Sequence, residues 1–171
     1  KIEYKSLQKI RTGEKGFKEL STTCVALANA QGGQIMIGVE DKTKKPAPNQ
    51  VIPQEEANSA VTRLRGLCFN VGLAVGDVCA DETGSQYFAI TVFPSLHSYA
   101  TTSDGKMYIR VADKCEPVRS EDIQRVGEEK GAFQWELVPT RFELEDENKT
   151  NLSKFANDIR QSDRVKQHIK Q

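Results

Sequence analysis

Apolar residues recur at three- and four-residue spacing through Phe17, Leu20, Cys24 and Leu27, which predicts a helix burying one face. Asn29 to Gly33 end it, because Gly32 and Gly33 adopt positive φ at little steric cost and suit a helix cap followed by an abrupt turn. A strand over Gln34 to Val39 follows, apolar at Ile35, Ile37 and Val39, and it brings Glu40 and Asp41 to its carboxyl end, where α/β domains commonly form clefts. A second helical face runs through Ala57, Ala60, Val61, Leu64, Leu67, Cys68 and Val71 for about four turns, with Gly72 as its stop. Leu73 to Asp81 and Gln86 to Phe93 form a hairpin through Glu82 to Ser85, with Phe88, Ile90 and Val92 alternating against Tyr87, Ala89 and Thr91, and Pro94 ends it. A further strand over Lys106 to Ala112 puts Met107, Ile109 and Val111 on one face and Tyr108 and Arg110 on the other. Ser120 then caps a short helix that turns Ile123 and Val126 inward.

This order of elements predicts an α/β (α+β) fold, a mixed sheet with two main packing helices. At 171 residues and 37% hydrophobic content, one medium domain with its own core is the natural reading, over residues 1–140. Residues 141–171 form a charged linker and helical extension in which six acids and six bases of the last thirty residues surround sparse apolar positions such as Leu152, Phe155 and Ile159. The opening Lys1 and the helix start at Ser162-Asp163 read as a piece of a longer protein with a further domain downstream.

Charge alters this picture because it is unevenly distributed although the formal net charge is zero. Residues 1–65 hold eleven Lys and Arg against seven Asp and Glu, whereas residues 66–103 hold three acids and no Lys or Arg. A basic face recruits a phosphate backbone without a basic overall balance, and Lys1, Lys5, Lys9, Arg11, Lys15 and Lys18 are its candidates; a solvated charged surface is the plain alternative. No apolar run approaches a membrane span and no cleavable leader is evident, which reads as a cytoplasmic protein. Cys24, Cys68, Cys79 and Cys115 are far apart and fit reduced thiols better than a disulfide framework, with zinc on His97 and Cys115 as the lesser alternative. The histidines His97 and His168 lack partners at catalytic spacing, and Arg11 to Gly16 lacks the spacing of a phosphate-binding loop.

Ile2-Glu3-Tyr4-Lys5, the helix end Ala26-Leu27-Ala28-Asn29, Gly32-Gly33, Ile37-Gly38-Val39-Glu40-Asp41 and Tyr108-Ile109-Arg110 together resemble the Schlafen AlbA-like (AlbA_2) domain over roughly the first three-quarters of the chain. The resemblance implies a nucleic-acid-binding module, for DNA or RNA, within a larger regulatory or defence protein. Lys5, Lys9, Arg11, Lys42 and Arg110 are the candidate contacts. It also implies two alternatives, a metal-dependent endoribonuclease and a protein-interaction or dimerisation domain. In Schlafen nucleases three acids form the catalytic cluster; Glu3 and Asp41 match the second and third, and the first would fall before Lys1. A crossover between parallel strands sets such distant carboxylates on neighbouring strands, where Mg²⁺ or Mn²⁺ is the expected metal and Lys5 a partner for the scissile phosphate. Lys5 could equally pair with Glu3, and Arg110 could grip phosphate or lie in solvent. Because Schlafen nucleases carry two such lobes in one chain, the resemblance further implies a homodimer here.

Overall fold

The computed structural model describes residues 1–96, 98–123, 126–127 and 146–161. The chain separates into two compact units, Lys1–Gln134 and Trp135–Gln171.

In the first unit β1 (Ile2–Lys5) leads through the single turn α1 (Gln8–Arg11) into α2 (Glu14–Ala28) and back to β2 (Gly33–Ile37). β1 and β2 are parallel neighbours, with Glu3 opposite Ile35 and Lys5 opposite Ile37. After a loop and α3 (Gln54–Gly66) come β3 (Cys68–Phe69), β4 (Gly72–Val75), β5 (Cys79–Ala80), β6 (Gln86–Phe93), β7 (Thr101–Thr102), β8 (Tyr108–Val111) and β9 (Lys114–Pro117). The main sheet runs β1-β2-β6-β4 with β5 beside β6, and every pairing other than β1 with β2 is antiparallel. It is the mixed sheet expected of an α+β fold.

Alternation along the strands sends Ile35, Ile37, Phe88, Ile90 and Val92 to the helical side, where they pack with Phe17, Leu20, Cys24 and Leu27 of α2 and Ala57, Val61 and Leu64 of α3. All of these are nearly or wholly excluded from solvent, so burial of their apolar area is the main force joining helices to sheet. The predicted helical face of Phe17, Leu20, Cys24 and Leu27 is therefore the observed one.

The α2-to-β2 hinge depends on two glycines for different reasons. Gly32 has φ +73, as a left-handed helix exit requires, and its N–H donates to the Leu27 carbonyl at 2.9 Å. Gly33 has no such φ; a Cβ there would come within 2.6 Å of the Lys1 carbonyl oxygen and 3.2 Å of Leu27 Cδ2. Close approach of β1, not backbone handedness, demands that glycine.

Several boundaries differ from the periodicity. β2 stops at Ile37 because Gly38, at φ +91, turns the chain, so Glu40 and Asp41 occupy the following turn and not the strand end. The second helix stops at Gly66, not Gly72, because Cys68 and Phe69 pair with Thr102 and Thr101, and Gly72 instead begins β4 against Phe93. Leu73 to Asp81 is two strands. Val75 faces Ile90 while Cys79 faces Tyr87, four steps against three, so one extra residue forms a bulge. Within it the Val78 N–H leaves the ladder and donates to Gln54 Oε1 at 2.9 Å. Ser120–Asp122 is a 3₁₀ turn with Arg119 at its N-cap position and no side-chain cap hydrogen bond, with Val126 buried as expected but Ile123 40% exposed.

In the second unit the described element is α4 (Asp146–Gln161), on which Leu152, Phe155 and Ile159 are exposed. Ser162 and Asp163 lie outside the described residues. No described helix is long and apolar enough to cross a membrane.

Candidate nucleic-acid interface

Strand β1 offers Glu3 and Lys5 on the same side, and the hairpin of β8 and β9 supplies a third charge. Alternation sets Arg110 with Tyr108 opposite the apolar Met107, Ile109 and Val111, where solvent is the expected surrounding. The structure inverts this assignment: Val111 is 45% exposed, whereas Tyr108 packs on the core and the Arg110 side chain keeps 6% of its accessible area. Arg110 Nη2 donates to Glu3 Oε1, Nη1 donates to Cys115 Sγ at 3.2 Å, and Nε is buried without a partner. Burial opposes the guanidinium charge, but the hydrogen bond to Cys115 and the charge of Glu3 outweigh it and hold its pKa above the usual value. Lys5 Nζ lies 3.4 Å from Glu3 Oε2, so one carboxylate, 15% exposed, faces two cations.

Asp41 occupies a different environment. The turn after Gly38 is closed by the Glu40 N–H on the Lys45 carbonyl and the Lys44 N–H on the Glu40 carbonyl. Gln50 Nε2 holds the far side of the loop through the carbonyls of Gly38 at 2.9 Å and Gln86 at 2.6 Å. Lys44 Nζ sits 4.2 Å above the Tyr4 ring and 2.6 Å from Asp41 Oδ1. That hydrogen bond and charge hold the exposed Asp41 carboxyl below its usual range. Lys42, beside it, is exposed and has no hydrogen bond or ion pair of its side chain among the described residues.

Lys9 and Arg11 are paired, whereas Lys15 and Lys18 have no carboxylate partner among the described residues. Lys9 meets Glu19 on α2, and Arg11 grips Glu56 of α3 through two bonds of 2.8 Å while Nη2 also donates to the Val51 carbonyl at 3.1 Å. Lys9 and Arg11 therefore clamp α1 to the two helices, and their carboxylate partners are each held below the usual range, chiefly by these hydrogen bonds.

β1 and β2 are parallel neighbours, but Asp41 lies in the turn beyond β2 and not on a strand beside Glu3, and each carboxylate has its own cations, Arg110 and Lys5 for Glu3 and Lys44 for Asp41. Among the described residues no three His, Cys, Asp or Glu side chains converge as a ligand set. A divalent ion needs carboxylate oxygens free to coordinate, so the donors present, each carboxylate already engaged by a cation, do not fit Mg²⁺ or Mn²⁺. All four cysteines are free, and His97 lies outside the described residues.

One cation escaped the sequence reading. Arg63, on the polar side of α3, has its guanidinium carbon 4.2 Å from the centre of the Phe17 ring and no carboxylate partner among the described residues. Only the packing of α2 against α3 brings Phe17 and Arg63 together, so no local pattern could have shown it.

Among curated proteins no sequence matches this chain. Among solved structures it is similar to the DIP2311 protein from Corynebacterium diphtheriae, at 20% identity and a TM-score of 0.50 over 68% of this chain. The matched part is 24% of that protein, so the chain spans about a quarter of its length, and the likeness speaks to fold alone. The family model described as Schlafen, AlbA_2 matches residues 1–119, the stretch holding the sheet, both packing helices and the β8–β9 hairpin, and the chain belongs to that family.

Proposed function

We propose that residues 1–134 form a nucleic-acid-binding module that attaches a larger regulatory or defence protein to DNA or RNA through the phosphate backbone, with little base preference. The observation that carries this reading is the separation of charge in the fold. Residues 1–65, from Lys1 through α3, hold eleven Lys and Arg against seven acids, while the charged side chains of residues 66–103 are three acids. Membership of a family associated with nucleic-acid binding supports it. Phosphate contacts release condensed counterions, so affinity in the micromolar range or weaker, falling steeply with salt, is expected. Titration of labelled duplex and single strands at two salt concentrations tests this. Saturation indifferent to salt, or no binding at low salt, overturns it.

The module acts as a homodimer, which enlarges the basic surface by twofold symmetry, the commonest closure for identical chains. Light scattering at several concentrations tests this, and a mass of one chain throughout overturns it.

A further inference from the structure

A cleft of about 280 Å³ lies where α2, α3 and the β7 turn meet, lined by Glu14, Phe17, Lys18, Arg63, Ser103 and Asp104 among others. Five of the eleven cations in residues 1–65 are held by carboxylates: Lys1 by Asp113, Lys5 by Glu3, Lys9 by Glu19, Arg11 by Glu56 and Lys44 by Asp41. Of the six with no carboxylate partner among the described residues, Lys18 and Arg63 are the two that line this cleft. Asp104 is satisfied internally, accepting from Thr102 Oγ1 at 2.5 Å and lying 3.0 Å from Lys106 Nζ, which leaves Glu14 as the lone uncompensated acid.

We propose that this cleft is a phosphate subsite for a nucleic-acid strand, with Lys18 and Arg63 as the contacting cations; this rests on the nucleic-acid reading above. Three features favour that occupant. A free cation left in water gives up condensed counterions from the strand at no cost of a broken ion pair, whereas Lys9 or Arg11 would first have to release a carboxylate. Stacking on Phe17 fixes the plane of the Arg63 guanidinium, so less rotamer freedom is lost when its N–H groups meet phosphate oxygens. The volume lies just below the range of about 300–1,000 Å³ typical of small-molecule sites, which suits a single nucleotide unit entering from an open side. Ser103 adds an exposed hydroxyl at the rim.

The test compares wild type with Lys18→Ala, Arg63→Ala, Arg63→Lys and Glu14→Gln in titrations of a fluorescent oligonucleotide over a range of salt. Lys18→Ala and Arg63→Ala each weaken binding several-fold and lower the slope of log affinity against log salt by about 1, Arg63→Lys retains the slope, and Glu14→Gln tightens binding. Melting temperatures confirm folding, and Lys18→Ala, on an exposed lysine, keeps the test decisive even where Arg63→Ala disturbs the Phe17 contact. Wild-type affinity and slope in both alanine variants overturn the subsite while leaving the nucleic-acid reading intact. Failure of the wild-type protein to bind at any salt overturns that reading and the subsite with it.

Discussion

Glu3 on β1 and Arg110 on β8, 107 positions apart in the chain, are joined in an ion pair whose side chains keep 15% and 6% of their accessible area. A pair so enclosed is worth little more than its own desolvation cost while both partners are present; Glu3 keeps Lys5 when Arg110 is removed, but removing Glu3 leaves the enclosed Arg110 guanidinium without a carboxylate. Glu3→Leu therefore destabilises the fold by about 3 kcal/mol, and Glu3→Leu combined with Arg110→Met recovers most of that loss. Chemical denaturation of the single and double variants measures it. Equal losses in both would show that an orphaned charge is not the source.

A methyl group separates two glycines sharply. At Gly33 an added Cβ meets the Lys1 carbonyl, so Gly33→Ala pushes β1 from the sheet and costs on the order of 1–3 kcal/mol. At Gly66, the last residue of α3, a Cβ meets nothing within 4 Å and φ is not left-handed, so Gly66→Ala is neutral or stabilising by about 0.5 kcal/mol. Thermal melts of the two variants should move in opposite directions or differ by several degrees, and matching losses would contradict the close approach of β1.

Asn29 fastens the end of α2 to two remote segments. Its Nδ2 donates to the carbonyls of Ala100 at 2.8 Å and Tyr108 at 2.9 Å, and its Oδ1 accepts the Ala100 N–H at 2.9 Å. Asn29→Ala leaves these buried backbone groups unsatisfied and lowers stability by about 2–3 kcal/mol. A loss below 0.5 kcal/mol, a typical surface-site effect of about that size, would mean that water replaces the amide.

These residues show what a sequence discloses and what it conceals. Phe17, Leu20, Cys24 and Leu27 announced their helix because burial of one face is written in local spacing, and the β6 alternation was legible likewise. Arg110 was not. Its strand alternates equally well in either orientation, and the inward face is chosen by Glu3, a partner no periodicity can point to. Asn29 read as part of a helix exit, whereas its contacts are set by segments more than seventy positions away. Among the candidate cations, spacing located the lysines and arginines but could not tell those held by carboxylates from those left free, since each pairing depends on tertiary contact.

Asp41→Asn tests the loop after β2. The substitution removes the charge that engages Lys44 at 2.6 Å, which frees a lysine beside the exposed Lys42. Affinity for nucleic acid rises and the salt slope steepens by about 1, as for one gained phosphate contact. Weaker binding in a folded variant would assign Asp41 a direct role in holding the strand.

The Arg11–Glu56 clamp gives a pH signature. Glu56 is held below its usual pKa in the folded state by its hydrogen bond to Arg11, so its contribution is present above the unfolded value of about 4.3 and is lost as pH falls through the folded one. Wild type exceeds Glu56→Gln by about 0.5 kcal/mol near neutrality, a figure kept small by solvent screening, and the gap closes below about pH 4. Denaturation curves at several pH values follow it; a gap unchanged to pH 3 would show that charge is not what Glu56 contributes.

The β8–β9 hairpin is a separate two-stranded sheet and shares no ladder with the main one. It is fastened by side chains: Asn29 on Tyr108, Glu3 on Arg110, and Lys1 on the Ala112 carbonyl and Asp113. A lone hairpin is marginal in water, so its amide hydrogens exchange with solvent through a partial opening that leaves β2 and β6 protected. Such an opening would take Arg110 from Glu3 and leave its carboxylate to Lys5 and water, so the charge that the first strand presents is tied to the seating of the hairpin.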